Sequence, residues 1–256
     1  MTRGAALAAL AWWRDAGVDV LVADEPRDWL APLPSPLGEG RLERSESGGG
    51  PTVKSVPAHP QPLPRGEGEQ KVADLTPIAR ADSLDALRLA VEAIRPRAIF
   101  SDGDPASGVM IVGETAAPDD DRTGRPFSGP AGELLDRMLA AIQLDRSSTY
   151  ITNLLLWRSF GKASPADLAT ATAILRRHIE LARPRALLVM GGVPAAALFP
   201  GNPSISALRG SWRDLTVGDV TVPALPTYNP AYLLRNTAMK KQAWADLQSF
   251  RAHLDA

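Results

Sequence analysis

The amino-acid sequence predicts an α/β fold of three layers, α/β/α, with a central, mostly parallel sheet of four strands. Short apolar runs typical of buried strands alternate with longer segments of helical periodicity. Ser and Pro stand at the starts of several helical segments, where they favour helix initiation. Apolar residues make up 45% of the chain, enough for a packed core. We expect residues 82–256 to form one domain.

The first half of this domain contains two predicted strands and two predicted helices. SLDALRLAVEAI is typical of a helix with Ser83 as its N-cap. GVMIVG (108–113) predicts the first strand. A helix is expected over 130–142, with Pro130 near its first turn. TYITNLLL (149–156) predicts the second strand.

The second half repeats the alternation. SPADLATATAILRRHIELA (164–182) predicts a helix that begins after a Ser cap. ALLVMGG (186–192) predicts the third strand, followed by a short helix. WRDLTVGDVTVPALPTY indicates a hairpin about Gly218–Asp219 and a fourth strand that ends at Tyr228. The last helix is expected near Met239–Leu254.

The amino-terminal third has a different composition. Residues 1–25 predict a helical arm, whose Trp12 and Trp13 we expect to dock either on this chain's own domain or on a partner. Residues 26–81 are rich in Pro, Gly and charge and poor in large apolar side chains. Such a segment buries too little surface to offset its ordering entropy, so a disordered linker is predicted.

Composition excludes several classes of site. The chain contains no cysteine, which rules out disulfides, thiolate zinc sites and cysteine-ligated iron–sulfur clusters. No segment approaches the length of a membrane span and no signal peptide is evident, so we expect a cytoplasmic protein without membrane contact.

Charge and histidine placement are less informative. The net charge is −1, but residues 176–256 contain ten Lys and Arg against five Asp and Glu. This excess is typical of either a surface for an anionic partner or a solvated basic surface. His59, His178 and His253 have no motif around them, and we expect all three at the surface. We expect no metal site.

Polar residues stand at the ends of all four predicted strands. Because the carboxyl ends of parallel strands meet at one edge of the sheet, the functional site is expected there. The residues at those ends are Gly113, Glu114, Asn153, Gly191, Gly192 and Asn229.

Three segments carry a family resemblance. They are VGETAAPDDDRTGRPFSGPAGELL (112–135), YITNLLLWR (150–158) and TYNPAYLLR (227–235). In this order and spacing they resemble family 4 of the uracil-DNA glycosylase superfamily, and the resemblance extends over roughly Phe100 to Leu254. It implies a DNA-repair enzyme that flips deoxyuridine out of DNA and hydrolyses its N-glycosidic bond. Uracil is released and an abasic site remains.

The sequence departs from that family in two respects. Family 4 holds a [4Fe–4S] cluster with four cysteines, whereas apolar residues stand near the corresponding positions here, so we expect no cofactor. These residues are Ala86, Leu89, Trp157 and Ala171. The family loop GEAPG reads GETAA at 113–117, and Asn229 replaces the His of the third motif.

The resemblance implies catalytic roles for Glu114, Asp120 and Asn229. A carboxylate near the sugar C1′ can orient water and stabilise the developing cation, while a donor at uracil O2 stabilises the leaving anion. Glu114 and Asp120 are the candidate acids, although Asp120 and its neighbours alternatively form a solvated acidic loop. Asn229 can donate a neutral hydrogen bond, but it cannot become a cation as His can.

Four residues are candidates for binding the base. Asn153 presents an amide complementary to uracil O4 and N3–H, or alternatively caps a turn. Phe127 is either a stacking residue or a core residue. Ala116 and Ala117 lie in the loop that adjoins the pocket, and the Thr115–Asp120 segment is expected to exclude the thymine methyl group.

Contacts to DNA are expected from two further segments. Tyr232, Leu233, Leu234 and Arg235 are expected on a loop that enters the duplex, with one of the two leucines alternatively in the core. Gly191 and Gly192 either present N–H groups to a phosphate or form a tight turn.

The leading hypothesis is a monomeric, monofunctional uracil-DNA glycosylase whose partner is uracil-containing DNA. Two alternatives remain open. One is a glycosylase of relaxed specificity that accepts other deaminated bases. The other is a non-catalytic module that binds uracil or abasic sites in DNA, which the loss of His and the altered GEAPG loop would permit.

Overall fold

The computed structural model describes residues 74–158, 162–201 and 204–256. The predicted arm 1–25 and most of the predicted linker 26–81 lie outside these residues. The helices are α1 (Thr76–Arg80), α2 (Leu84–Ile94), α3 (Pro118–Thr123), α4 (Gly129–Ala141), α5 (Pro165–Ala182), α6 (Gly192–Leu198), α7 (Ile205–Leu208), α8 (Pro230–Arg235) and α9 (Lys240–Leu254). The strands are β1 (Asp102–Gly103), β2 (Val109–Thr115), β3 (Tyr150–Leu155), β4 (Ala186–Met190), β5 (Arg213–Val217) and β6 (Val220–Thr227).

The described strands form one sheet in the order β1-β3-β2-β4-β6-β5. The four inner strands are parallel, as the sequence predicted, and an antiparallel strand is added at each edge. The sheet therefore has six strands rather than four. The predicted hairpin supplies β5 at one edge, and the two-residue β1 at the other edge is too short to give a periodic signal.

Alternate residues of the inner strands pack on opposite faces of the sheet. Ile111 and Leu188 pack in a cluster with residues of α4 and α9, whereas Met110 and Leu187 pack with residues of α5 and α6. Burial of one such side chain is worth about 1.5–3 kcal/mol, so both faces require a helical layer. The predicted three-layer architecture is confirmed.

Two of the predicted helix starts have serine caps. The Ala86 N–H donates to Ser83 Oγ at 3.2 Å, and the Asp167 N–H donates to Ser164 Oγ at 3.0 Å. Each bond satisfies one N–H that the first helical turn leaves without a partner.

Three short helices differ from the sequence expectation. α3 and α8 replace the loops expected for the acidic triplet and for the segment after Asn229, and each begins with a proline in its first turn. α1 lies within the range assigned to the linker. Ile78 of α1 is buried against residues of α2 and α5, and this contact holds the short segment on the domain. A single apolar residue among polar neighbours gives no periodic signal in the sequence.

His178 corrects a second expectation, because it is buried rather than at the surface. Its ring stacks on Phe100 at 4.4 Å between centroids, and its Nε2 lies 2.8 Å from the hydroxyl of Tyr150. Burial lowers the pKa of His178 to about 3.

Among the described helices, none is long and apolar enough to cross a membrane.

Candidate active site

A cavity of about 500 Å³ opens at the carboxyl ends of the parallel strands. Its walls come from the ends of β2, β3, β4 and β6 and from the segments that follow them. The predicted residues that line it are Glu114, Ala116, Ala117, Asp120, Phe127, Asn153, Gly191, Gly192, Asn229, Tyr232 and Arg235.

Glu114 lies near the end of β2 and is half-buried. Burial raises the pKa of its carboxyl group, and the positive charge of Arg235 opposes this shift. A Cβ atom placed on Gly191 would lie 3.1 Å from Glu114 Oε2 and 3.5 Å from Asn229 Cβ. The absence of a side chain at Gly191 thus leaves room for Glu114 beside the Asn229 segment.

Asn153 and Phe127 meet beside Gly113. A Cβ atom on Gly113 would lie 2.2 Å from Asn153 Oδ1 and 2.3 Å from Phe127 Cζ. Asn153 is buried, and its Nδ2 has no hydrogen-bond partner among the described residues. An amide donor without a partner at a cavity wall indicates a ligand that brings an acceptor.

Asp120 lines the cavity, but its carboxylate is committed to the main chain. Oδ2 accepts the Ala117 N–H at 3.1 Å, and Oδ1 accepts the Ser128 N–H at 2.7 Å. Burial raises the pKa of this carboxyl group, and these hydrogen bonds oppose the shift. Asp120 therefore links the two ends of the segment that contains α3.

Asn229 is the N-cap of α8. Its Oδ1 accepts the Ala231 N–H at 2.9 Å, and its Nδ2 donates to the Met190 carbonyl at 3.3 Å. An amide nitrogen carries two hydrogens, so one of them is available in addition to this bond. The side chain is held with its nitrogen side against β4.

Helix α8 separates the two leucines of the expected wedge. Leu233 is 0% exposed and packs in the core, so it cannot contact DNA, which corrects its assignment. Leu234 is 40% exposed on the surface. Tyr232 and Arg235 lie on the cavity side of the helix. Helical periodicity explains this division, because consecutive residues of a helix point about 100° apart.

The first glycine after β4, Gly191, already has a partner for its N–H group. The Gly191 N–H donates to the Thr227 carbonyl at 2.9 Å, so it is not free for a phosphate. Gly191 has φ of 118°, a conformation that glycine adopts readily. The tight-turn interpretation therefore describes Gly191 better than the phosphate-binding one.

Other residues line the cavity without having been assigned to it from the sequence. Arg158 lies two residues after the second predicted strand, and Tyr228 ends the fourth, so the strand-end rule could have identified both. Arg158 lies 3.6 Å from Asp121, between the closest side-chain atoms. Ile205 reaches the cavity from α7 and has no local signal in the sequence. The set is Ser128, Ala131, Arg158, Ile205, Tyr228 and Ala231.

The positions implied for an iron–sulfur cluster do not fit that group. The chain has no thiolate to offer. Ala171 is fully buried in the core, whereas Leu89 is 61% exposed. The guanidinium of Arg95 lies over the Trp157 ring at 4.8 Å from its centroid. A cation on an indole ring, rather than a set of sulfur donors, occupies this part of the fold.

The comparisons agree with this architecture. The sequence matches the Uracil DNA glycosylase superfamily over residues 100–248. It is 30% identical to the Type-4 uracil-DNA glycosylase of Pyrobaculum aerophilum over 162 residues, covering 61% of this chain and 83% of that one. The Type-4 uracil-DNA glycosylase of Saccharolobus solfataricus is 28% identical over 169 residues, 63% of this chain and 78% of its own. That of Thermotoga maritima is 30% identical over 145 residues, which cover 56% of this chain and 74% of that one. With more than half of its length matched in sequence and its strand-end cavity in place, the chain belongs to the uracil DNA glycosylase superfamily.

Proposed function

We propose that this protein is a monofunctional uracil-DNA glycosylase, which hydrolyses the N-glycosidic bond of deoxyuridine in DNA. The observation that carries the proposal is the buried Asn153 amide, whose Nδ2 lacks a partner, beside the Phe127 ring in a cavity that also contains Glu114. Hydrogen-bonding, stacking and carboxylate groups are thereby gathered in one space.

Base recognition follows from the chemistry of Asn153. Its Nδ2 can donate to uracil O4 while its Oδ1 accepts uracil N3–H. Cytosine presents a donor at N4 and an acceptor at N3, so both contacts would be mismatched. A buried polar group left unpaired costs about 1–3 kcal/mol, which favours uracil over cytosine at this position.

Phe127 offers the flipped base a stacking surface. Stacking on an aromatic side chain is worth about 1–3 kcal/mol per base, comparable with the cost of unstacking the base from DNA. The ring is buried and touches the space in front of Gly113, which also adjoins Asn153. The Phe127 ring can therefore contact the face of the base, and the Asn153 amide can contact its hydrogen-bonding edge.

Bond cleavage is assigned to Glu114 and a water molecule. The bond between C1′ and N1 breaks, and its electron pair leaves with uracil. The water oxygen bonds to C1′, and its proton passes to Glu114, while solvent protonates the uracil anion. Burial makes Glu114 a stronger base than an exposed glutamate, and its negative charge stabilises the cationic sugar.

The remaining residues have supporting roles. The second Nδ2 hydrogen of Asn229 can donate to uracil O2 as negative charge develops there. Because both Asp120 oxygens accept main-chain N–H groups, we assign Asp120 to shaping the Ala117–Ser128 segment rather than to activating water. On the DNA side, Tyr232 and Arg235 border the cavity, and Leu234 is the exposed apolar residue that can fill the gap left by the flipped base.

We assign exclusion of thymine to the Thr115–Asp120 segment. Thymine shares the Watson–Crick edge of uracil, so Asn153 cannot reject it, and a steric wall must meet its methyl group. Ala116 and Ala117 line the cavity and present methyl groups of their own. Ala117→Gly is expected to admit thymine, measured as release of thymine from a thymine-containing oligonucleotide. If Gly substitutions along this segment release none, the wall lies elsewhere.

A wider substrate range is the second candidate. The cavity of about 500 Å³ exceeds the space of one pyrimidine ring, even with part of the sugar inside. Hypoxanthine and xanthine, the products of purine deamination, are the bases to test beside uracil. We also propose that the protein acts in the cytoplasm as a monomer.

The proposal is tested by incubating the purified protein with a uracil-containing oligonucleotide and cleaving abasic sites with alkali. Strand cleavage at uracil is the expected result in single- or double-stranded substrate. Asn153→Asp is the matched variant, since it preserves shape but removes the donor to O4. It should lose uracil excision by about 100-fold or more, as sites built to hydrogen-bond a substrate do. Binding to uracil or abasic DNA without any base release would instead support a non-catalytic module.

A further inference from the structure

Phe127 has an unusual backbone conformation for an aromatic residue. Its φ is 55°, in the left-handed region. Residues with a Cβ atom adopt that region at a cost in free energy, and they remain there only when their surroundings hold them. The position of the Phe127 ring in the cavity thus depends on whatever fixes its main chain.

Arg146 supplies that fixation from outside the cavity. Its Nη2 donates to the Phe127 carbonyl at 2.6 Å, and its Nη1 donates to the Pro126 carbonyl at 3.0 Å. The guanidinium is itself anchored by Asp102 at 2.8 Å and by Asp136 at 2.7 Å. One planar group therefore binds two consecutive carbonyls and is held in place by two carboxylates.

The opposite side of the same turn is also fixed. Asp120 accepts the Ser128 N–H at 2.7 Å and the Ala117 N–H at 3.1 Å. Gly132 of α4 lies so close that a Cβ atom there would come within 1.6 Å of the Phe127 oxygen. The carbonyls are thus held by Arg146 and the Ser128 N–H by Asp120, with α4 packed against the turn.

We infer that Arg146 is a positioning residue for base recognition, holding Phe127 in its left-handed conformation so that the ring is ready to stack on the flipped uracil. This inference rests on the proposed function. Arg146 does not line the cavity, so its effect on substrate passes through Phe127. Stacking acts on the base before and during bond cleavage, so loss of Arg146 should weaken substrate binding more than it slows the chemical step.

The chain provides a matched control in Arg125. It pairs with the same carboxylate, Asp102, at 2.9 Å, but its guanidinium donates to that carboxylate and not to the Phe127 or Pro126 carbonyl. Arg125→Gln therefore removes an ion pair of the same network and leaves the fixation of Phe127 intact. Arg146→Lys keeps the charge beside Asp102 but cannot reach two carbonyls with one planar fork.

The experiment compares Arg146→Met, Arg146→Lys, Phe127→Leu, the double variant Arg146→Met/Phe127→Leu and Arg125→Gln with the wild type. Single-turnover excision gives the half-saturating enzyme concentration and the maximal rate for each. We expect Arg146→Met to raise the half-saturating concentration about tenfold, with a change in maximal rate of about threefold or less. The half-saturating concentration of Arg146→Lys should lie between those of the wild type and Arg146→Met. Arg125→Gln should match the wild type.

The double variant distinguishes a positioning role from a general structural one. If Arg146 acts through Phe127, the double variant should bind no more weakly than Phe127→Leu alone. Additive losses, or equal losses in Arg146→Met and Arg125→Gln, would overturn the inference. The melting temperature of each variant is measured to confirm that it folds. If Arg146→Met does not fold, Arg146→Lys is compared with the wild type and Arg125→Gln in its place.

Hydrogen exchange provides a readout that does not need excision. Exchange of the Phe127 and Ser128 amides should be about tenfold faster in Arg146→Met than in Arg125→Gln, because local opening of the turn becomes easier. Unchanged exchange would refute the fixation itself. If the wild-type protein released no uracil, the proposed function would fail, and the exchange measurement would still decide the role of Arg146.

Discussion

Burial changes what the polar residues of the cavity can do. Asn153 has a donor with no partner, and Glu114 has a carboxylate whose charge is poorly solvated. Both situations are unfavourable, and under the proposed function a substrate relieves them, Asn153 through an acceptor and Glu114 through positive charge on the sugar. Asp120, equally acidic in sequence, has its charge satisfied by main-chain N–H groups.

The raised pKa of Glu114 predicts the acid limb of the pH–rate profile. The ionised carboxylate is the active form, so excision is lost as pH falls through the pKa of Glu114. Because burial raises that pKa, the loss should occur at a higher pH than the ordinary glutamate value. Single-turnover rates from neutral to acid pH measure it.

Glu114→Gln is the control for this assignment. The variant should be slow at every pH and should lack the acid limb, since Gln does not titrate. A variant that retains the same limb would show that another group titrates there, and Glu114 would lose its role as the base.

At the level of elements, the rotation of a helix decides which side chains face solvent and which enter the core. α8 turns Leu233 inward and Leu234 outward, whereas the sequence alone presents them as equivalent neighbours. α5 likewise carries His178 into the protein, onto Phe100 and toward the Tyr150 hydroxyl. In both cases the direction of a side chain follows from the rotation of its helix.

The two leucines of α8 predict opposite phenotypes. Leu233→Ala should lower the free energy of unfolding by about 2–5 kcal/mol, as removal of a buried Leu side chain does. Leu234→Ala should leave stability within about 0.5 kcal/mol of wild type, because the side chain is partly exposed. It should slow excision from duplex DNA more than from single strands, where no gap needs filling. Urea unfolding measures the difference in stability, and excision assays on duplex and single-stranded DNA measure the difference in activity. If Leu234→Ala slows excision equally from both substrates, the wedge assignment is contradicted.

His178 predicts an acid-dependent loss of stability. Its folded-state pKa is about 3, below the ordinary histidine value of 6.5, so the unfolded chain binds the proton first. Stability from the buried neutral ring is complete above pH 6.5 and falls as pH drops toward 3. Between pH 7 and pH 5 the loss should be about 2 kcal/mol. Urea unfolding at both values measures it.

The control for this prediction is His178→Phe, which keeps a ring against Phe100 but cannot take up a proton. Its stability should change less than that of the wild type between the same two pH values. Equal slopes in the two proteins would show that carboxyl groups, and not His178, dominate the acid transition.

At the level of the whole molecule, four parallel strands bring distant chain segments to one edge. Gly113 and Asn153 are register partners on β2 and β3, and β4 and β6 deliver Gly191 and Asn229 beside them. The helical layers on both faces, together with the apolar contacts of Ile78 against α2 and α5, fix this sheet without any cross-link. Hydrophobic packing thus maintains the site geometry in a cysteine-free chain.

This packing predicts indifference to iron and to thiol reagents. Excision should be unchanged after treatment with an iron chelator or a thiol-alkylating reagent, since the chain contains no sulfur ligand or thiol. The purified protein should contain less than about 0.1 iron atom per chain by elemental analysis, well short of four per cluster. Stoichiometric iron, or loss of excision on chelation, would contradict the prediction.

The sequence by itself determined the layers, the parallel inner strands and the serine-capped helices, because periodicity, caps and turns are local properties. It also identified most of the cavity residues, since strand ends meet at one edge in any parallel sheet. Tertiary structure decided the rest. It placed the Asp120 carboxylate on main-chain N–H groups, buried His178 and exposed only one of the two leucines of α8. It also brought Arg146 to the Phe127 carbonyl. Each of these outcomes depends on how separate segments of the chain pack together. No local pattern records such contacts, because they arise only when the helices pack against the finished sheet.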